Sequence, residues 1–471
     1  MVTVLASLML AQDGFPFRVH EADKIQAAEF ATRRAEYLKS IPAGSFALLV
    51  TNPLHQRTND TDFPFRPNSY FWYLSGCEEQ DSALLLAPDG ITVNGKSAKE
   101  ILFVADKDPR NETWTGVLMG PEKAKELLKV DMVLSNRSFA TVMSNLTQAK
   151  GALIERPDGL SGAVARFVKS FDEWLPKHAE EKGLRKPLDV LRSIKSPTEI
   201  ALSWKSMNAT CNAHKEAIMS CEPGMREWEI ASLVEYIFAR NGCEAVAYGS
   251  IVGSGMNSCI LHYPSPRKRI NSGDFICMDV GGEYHGYASD VTRSYPANGK
   301  FSAEQKAIYE IVQQAQEAGV RASTVGAPFS SADQVARKIV ADGLIRLGVI
   351  KDAKEASRYF MHGTSHYVGL DVHDTGDYGP LKANQIITVE PGIYIKEGSP
   401  CDQKWWNIGC RIEDTILIAQ NGPVNMSGSQ LPRSTSEIEA LMAKKGLGNR
   451  PEGKIALTGD PSKLFALSHA H

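Results

Sequence analysis

No CxxC pair occurs among the eight cysteines of this 471-residue chain (Cys77, Cys211, Cys221, Cys243, Cys259, Cys277, Cys401 and Cys410). That scatter speaks against a zinc knuckle or a disulfide framework, and several of the thiols lie in apolar strands or helices, as reduced buried cysteines do. Charge of one sign is missing as well. Lys and Arg number 52 against 55 Asp and Glu, a formal net charge of -3, so no global field pulls the protein toward nucleic acid or an anionic membrane. Short basic runs such as SPRKR (Ser265 to Arg269) read as solvated loops. Beyond the ten-residue apolar core of MVTVLASLMLAQDG, no segment approaches the roughly 18 apolar residues of a membrane span. HExxH and GxSxG are absent, which removes support for the metallopeptidases and serine hydrolases built on those motifs. There is no short tandem repeat and no low-complexity tract.

What is present is an ordinary globular composition, 43% hydrophobic and 23% charged, long enough for two domains with separate cores. The first part alternates a helical pattern, DKIQAAEFATRRAEYLKSI, with the β-rich runs SFALLVT, SALLLAP and EILFVAD, which predicts an α/β domain. A charged passage containing prolines then leads to Ser196-Pro197-Thr198-Glu199, where a serine cap, a proline at the first helical position and a glutamate at the third mark a helix start. The expected division is 1–185, 186–435 and a tail at 436–471. Beyond the boundary the pattern predicts helices at roughly 197–221, 226–240, 303–322 and 331–347 with strand pairs between them. The apolar amino terminus lacks a basic start and a small residue at Met9, which makes a poor signal peptide. A cytoplasmic protein is expected, with export to the periplasm as the alternative if residues 1–12 act as a signal.

Two pairs of acids stand out in apolar surroundings. FICMDVGGEYHGYASDVTRSYP places Asp279 and Asp290 on either side of GGEYHGY, a run suited to a tight reversal and hence a β-hairpin. A turn centred between Tyr284 and His285 makes the two aspartates cross-strand neighbours, with Cβ atoms about 5 Å apart. Glu390 in IITVEPGIYI and Glu413 in IGCRIEDTILI are equidistant from Cys401 and Asp402, which predicts a second facing pair on adjacent strands. Between the pairs lie His362, His366 and His373, close together in a chain with 11 histidines. Singly, each has an ordinary reading: an aspartate bonded to a turn, a glutamate paired with a neighbouring arginine, a histidine satisfied in the core. Jointly, those readings need a separate explanation for every residue, while one charge argument covers them all.

An unpaired buried carboxylate costs several kcal/mol, and facing carboxylates repel. Four of them carry about four negative charges, which two divalent cations neutralise. Carboxylate-rich ligation with one imidazole suits manganese or cobalt better than a thiolate-rich zinc site does. Two divalent metal ions are therefore the expected cofactors, with Mn2+ as the leading choice and Co2+ or Zn2+ as alternatives. Such a pair lowers the pKa of a bridging water and makes hydroxide available near neutral pH, which points to hydrolysis.

The segments MDVGGEYHGYASDVTRSYPANGKF, HGTSHYVGLDVHD, TVEPGIYI and GCRIED, in that order, closely resemble the metal-binding motifs of the Xaa-Pro aminopeptidase (aminopeptidase P) and prolidase family. The likeness extends to GSIVGSGMNSCILHYP upstream, and RTNDTDFPFRPNSYFWYLSGCEEQDSALLL looks like the amino-terminal domain of aminopeptidase P. Together these segments span most of residues 50 to 420. The resemblance implies an α/β amino-terminal domain followed by a pita-bread catalytic domain. It also implies metal ligands at Asp279, Asp290, His366, Glu390 and Glu413, with Asp290 and Glu413 bridging both ions. Glu390 would shuttle the proton to the leaving nitrogen, and His262 and His373 would contact the substrate. Arg411, two residues before Glu413 and on the same strand face, would hold a carboxylate ionised. His362 is expected either to support the site or to meet the substrate.

A bond preceding proline is a tertiary amide and the ring fixes φ, so a peptidase acting there needs a shaped pocket rather than an extended-backbone groove. Tyr248 and Tyr394 are candidates for its wall, with the FWY of residues 71 to 73 as a further contribution, from the same chain or from a neighbouring subunit. The loop DTGDYGPLKANQ departs from many bacterial relatives, which carry arginine there; Lys382 is its only base. The implied activity is release of the first residue from peptides with proline second. The alternatives are an Xaa-Pro dipeptidase and a catalytically inactive binding module of the same fold. The expected partners are a peptide substrate and copies of the chain itself, as a homo-oligomer (dimer or tetramer), with neither nucleic acid nor membrane.

Overall fold

The computed structural model describes residues 23–146, 149–155, 180–181 and 185–449. The chain divides into two compact units, Met1–Ser193 and Ile194–His471. Residues 1–12, which bear on the signal-peptide alternative, and the end of the tail from residue 450 lie outside the described residues. Among the described residues, no helix is long and apolar enough to cross a membrane.

The three β-rich runs of the first unit become the centre of a mixed six-stranded sheet. Its order is Met132–Ser135, Lys96–Val104, Ala83–Val93, Ser45–Val50, Gly151–Glu155 and Glu180–Glu181, antiparallel in the middle and parallel toward both edges. Ser45–Val50 is buried along its whole length, which is why it reads as an unbroken apolar run rather than an alternating one. Phe46, Leu48, Leu85, Ile101 and Phe103 pack on one side of the sheet with Phe139. Phe71, Trp72 and Tyr73 sit on the helix Ser69–Ser75, capped by Asn68, and are all buried inside this unit. They are core residues, so the expectation that they wall a substrate pocket is not met.

The composition shift near residue 185 coincides with the helix Arg185–Ser193, which belongs to the first unit; the second opens at Ile194. There the capping box forms as its sequence predicts: Ser196 Oγ accepts from Glu199 N at 3.2 Å, and the Glu199 carboxylate accepts from Ser196 N at 2.9 Å. The helix it starts, Pro197–Ser220, packs on Glu227–Arg240. A second pair, Ala303–Ala322 and Ser331–Arg346, also packs together. Each pair is followed by antiparallel strands: Ile251–Ser254, Phe275–Val280 and Val291–Pro296 after the first, and Ile386–Val389, Asp414–Ala419 and Gly422–Asn425 after the second. The same helix-helix-strand order thus occurs twice.

The first acid-bearing hairpin forms with a shifted turn. His285 and Gly286 take positive φ (48° and 81°), and Tyr284 pairs with Tyr287 across them. That two-residue connection, with both central residues left-handed, is the one whose twist matches the strands it joins. The register therefore sets Asp279 opposite Thr292, not opposite Asp290. Asp290 stays on the same face as Thr292, two residues away, so the two aspartates are diagonal rather than directly paired neighbours. Continuing the register puts Asp290 opposite Gly281, where a Cβ would lie 1.9 Å from the Ser289 carbonyl oxygen; only glycine allows that approach. The second pair forms in the predicted register. Val389 pairs with Asp414 and Gly392 with Arg411, so Glu390 and Glu413 face each other at the break between two ladders.

Beneath the first hairpin, His214 is fully buried and its Nε2 donates to the Val291 carbonyl at 3.0 Å. Burial, helped by the Arg293 charge, pushes its imidazole down from 6.5 to about 3. The native state therefore holds a neutral ring where the unfolded chain takes up a proton, so stability should fall as pH drops from about 6.5 toward 3. The loss from this one group is at most about 1.4 kcal/mol per pH unit. His214→Gln, which keeps a donor without titrating, should flatten that limb in urea unfolding between pH 7 and 4; an unchanged slope would remove His214 as its cause.

Candidate metal centre

The residues singled out from the acid pairs and the histidine-rich loop meet inside the second unit. Asp290, His366 and Glu413 offer oxygen and nitrogen atoms that all lie within 4.8 Å of one another. His366 Nε2 stands 3.4 Å from both Asp290 Oδ2 and Glu390 Oε1. Asp279 joins through Tyr248, whose hydroxyl is 2.5 Å from Asp279 Oδ1 and from Asp290 Oδ1. All five side chains expected as ligands are thus in one cluster.

Each is held by the backbone or by a neighbour. His366 Nδ1 donates to the Tyr367 carbonyl at 3.0 Å, which turns Nε2 toward the acids. Arg411, buried on the strand Ile408–Arg411, donates from Nη2 to Asp279 Oδ2 at 2.6 Å and from Nε to Thr292 Oγ1 at 3.0 Å. The Thr292 hydroxyl in turn donates to Glu413 Oε2 at 2.7 Å. Behind the cluster, Arg293 bonds the Glu413 carbonyl at 2.7 Å and the Asp414 carboxylate at 2.6 Å. Burial opposes a charge on Asp414, but Arg293 and Arg433 overcome it and hold the acid at about 2.

The acids of the cluster behave in the opposite way. Burial pushes Glu390 up to about 7, against the pull of His366 and Arg411. Burial, then repulsion from Asp290 and Glu390, raises Glu413 well above the carboxylate range, and burial with Asp279 raises Asp290. Burial works against a charge on His366, yet the Asp290 bond and the surrounding carboxylates lift its imidazole to about 9. Tyr248 reports the same shortage of positive charge, since a phenol has one proton to donate and two carboxylate oxygens press on it. Four carboxylates and an imidazole around one point, of which Arg411 bonds a single carboxylate, that of Asp279, form an oxygen-rich donor set that fits hard divalent cations.

The cluster opens into a cleft of about 520 Å³, lined in part by Tyr248, His262, Tyr263, Asp279, Asp290 and His373. His262 and His373 are exposed, with ring centroids 6.4 Å apart, and His373 stacks edge-on against His366 at 4.3 Å. Burial and its two histidine neighbours push the His373 imidazole down. The loop carrying it is anchored by Asp374, which pairs with Lys195 at 2.9 Å, both side chains 1% exposed. Lys382, the base of the following loop, pairs with Asp377 at 2.6 Å.

Tyr394 does not line the cleft. It is 1% exposed, and its hydroxyl takes a bond from Arg411 Nη1 and gives one to His362 Nε2, both at 2.8 Å. Its phenol is consumed inside the protein, which corrects the expectation of a substrate wall. His362 completes that chain by donating from Nδ1 to the Gly363 carbonyl at 2.7 Å, with Glu390 Oε2 3.8 Å away. The supporting residues Thr292, Arg293, Asp414 and Lys195 were not picked out in the sequence. Asp414 carried the one usable signal, a second acid in the apolar run RIEDTILI.

Fold and site together define a metal-dependent hydrolase of the pita-bread type. Residues 202–420 match the model of metallopeptidase family M24, and residues 30–154 match that of the aminopeptidase P N-terminal domain. The Xaa-Pro aminopeptidase of Haemophilus influenzae is 35% identical over 438 residues, covering 89% of this chain and 98% of that protein. The structure of Escherichia coli aminopeptidase P with the inhibitor Pro-Leu superposes with a TM-score of 0.82 at 33% identity, covering 89% and 99% of the two chains. Pseudomonas aeruginosa aminopeptidase PepP gives the same TM-score, 0.82, at 31% identity and 89% and 98% coverage. The chain belongs to metallopeptidase family M24, with the aminopeptidase P amino-terminal domain in front of the catalytic one.

Because the buried acids repel one another, cations that bind only the native state should stabilise it. At a hundredfold excess over Kd the gain is about 2.7 kcal/mol, read as a rise in melting temperature on adding Mn2+. Asp290→Asn should melt higher than wild type when both are metal-free and should lose most of the Mn2+-induced rise. A variant that keeps the full rise would show that Asp290 is not a ligand.

Proposed function

We propose that this protein is an Xaa-Pro aminopeptidase, which hydrolyses the bond before a proline in second position and releases the first residue. The observation that carries the reading is the gathering of the five expected ligands in one cluster, of which Asp279 and Asp290 line the cleft, in a chain aligned over nearly the full length of a relative named for that activity. Asp279, Asp290, His366, Glu390 and Glu413 would hold two divalent ions, of which Mn2+ is the leading choice. Once bound, the ions would neutralise the acids, polarise the scissile carbonyl and lower the pKa of a water.

The remaining work falls to the chain. Glu390 takes the proton of the attacking water and passes it to the leaving proline nitrogen, which has no N-H of its own before the cut. His262 and His373, at the mouth of the cleft, contact the peptide and stabilise the charge that develops on its carbonyl oxygen. Arg411 holds Asp279 in place through the 2.6 Å pair. The Arg411, Tyr394 and His362 chain acts beside Glu390 as a rigid support rather than as a substrate wall. The working form is taken to be a homo-oligomer, dimer or tetramer, in the cytoplasm, with the periplasm as the alternative; sedimentation analysis tests the assembly.

Two measurements test this reading. After reconstitution with Mn2+, Ala-Pro-Ala should be cleaved well and Ala-Pro poorly, whereas activity on Ala-Pro with loss on the tripeptide would indicate a dipeptidase. His373→Ala should lower turnover on the order of a hundredfold with metal content unchanged by elemental analysis. A variant that turns over normally would take His373 out of the mechanism.

A further inference from the structure

Away from the metal cluster, one fully buried acid has no place in the chemistry described so far. Glu227 opens the helix Glu227–Arg240 and is 0% exposed. Its carboxylate receives five hydrogen bonds. Oε1 accepts from Ser254 N at 2.8 Å, Ser254 Oγ at 2.8 Å and Asn257 Nδ2 at 3.1 Å. Oε2 accepts from Tyr263 Oη at 3.0 Å and Lys268 N at 2.9 Å. The donors all come from one stretch, 254–268, and its middle carries His262.

The arrangement closes on itself. Glu227 N donates back to the Lys268 carbonyl at 3.1 Å, and Asn257 Nδ2 also reaches Tyr263 Oη at 3.0 Å. The Lys268 ammonium pairs with Asp274 instead of with Glu227. Every donor to this buried carboxylate lies in the one loop whose middle reaches the cleft. His262 itself is exposed, and the chain around it is held through Ser254, Asn257, Tyr263 and Lys268 on Glu227 and, at the Leu261 carbonyl, by Arg411 Nη2 at 3.5 Å. Tyr263, its neighbour in the chain, also lines the cleft.

We infer that Glu227 is a positioning residue for the reaction: it sets the 254–268 loop so that His262 faces His373 across the cleft. The inference rests on the proposed role of His262 in contacting the peptide. Glu227→Gln is the sharpest probe, because it keeps the size of the side chain but replaces one acceptor oxygen by an amide that faces the Lys268 N-H. Misplacing a group that contacts the reacting bond costs up to about a hundredfold, so kcat/KM for Ala-Pro-Ala should fall about ten- to a hundredfold, while metal content stays at the wild-type level.

A structural role alone would also lower activity, so the deciding measurement is the double-mutant cycle with His262→Ala. If Glu227 works through His262, then Glu227→Gln should change kcat/KM by no more than about twofold once His262 is gone, because residues acting as a unit are not additive. Asn257→Ala, which removes one donor and leaves the acid in place, should show the same dependence on His262 with a smaller fall, and it replaces Glu227→Gln in the cycle should that variant not fold. Wild-type kcat/KM in Glu227→Gln, or losses that multiply with those of His262→Ala, would overturn the inference alone. A harmless His262→Ala would overturn the reading of His262, and the inference with it.

Discussion

Mutual repulsion among four buried carboxylates is the constraint around which the second unit is organised. Asp279, Asp290, Glu390 and Glu413 are each tolerable in an apolar interior only beside a positive charge, and Arg411 supplies it to just one of them. The others are driven toward their protonated forms, and His366 is driven toward its charged one. Nearby, Asp414 shows what the same fold does with an acid meant to be satisfied from within. It receives Arg293, Gln316, Asn425 and Ser427 and stays ionised at about 2. The contrast between adjacent residues, Glu413 short of positive charge and Asp414 saturated, is what marks the first as a proposed ligand and the second as a structural acid.

The scaffold answers that constraint by fixing backbone before side chain. Two ladders with a common register break between Val389 and Gly392, and the break turns Glu390 and Glu413 toward the centre. Glu413 N donates to the Thr292 carbonyl at 3.1 Å, and Arg293 ties the Glu413 carbonyl to the same strand. The strands bearing the two acids expected to bridge are therefore joined directly. Loops outside the cluster follow a related plan. A buried charged group collects donors or a partner from the loop that presents each exposed histidine, Glu227 for His262 and Lys195 through Asp374 for His373.

Much of the candidate site was legible in the sequence because strand pairing is symmetric about its turn. Counting outward from Cys401 and Asp402 gave the Glu390 and Glu413 pairing that the structure shows. The first hairpin turns one position later than the centre of its polar run, because the reversal is set by the two residues that accept positive φ. His285 and Gly286 do, and Asp279 consequently meets Thr292. The shift changes the neighbour without changing the face, since it moves the partner by two residues, one full strand period. Aromatic residues were read least well. Tyr394 and the FWY of the first unit are buried, and nothing in a strand or helix pattern distinguishes a ring facing a cleft from one facing a core.

By itself the sequence determined the elements and the cluster. The start of the helix at Pro197 followed from the capping box at Ser196, strands from apolar runs, and the four acids with the histidine-rich loop from their surroundings, all of which depend on local pattern; the choice of His366 among the three histidines came from the family resemblance. Only the tertiary structure decided the supports: which cation meets which acid, that Tyr248 lies between two aspartates, and that Glu227 gathers a loop 27 to 41 residues further along. Those contacts join positions with no fixed spacing, so their energy depends on distance and burial in the folded chain, quantities that local sequence pattern does not encode.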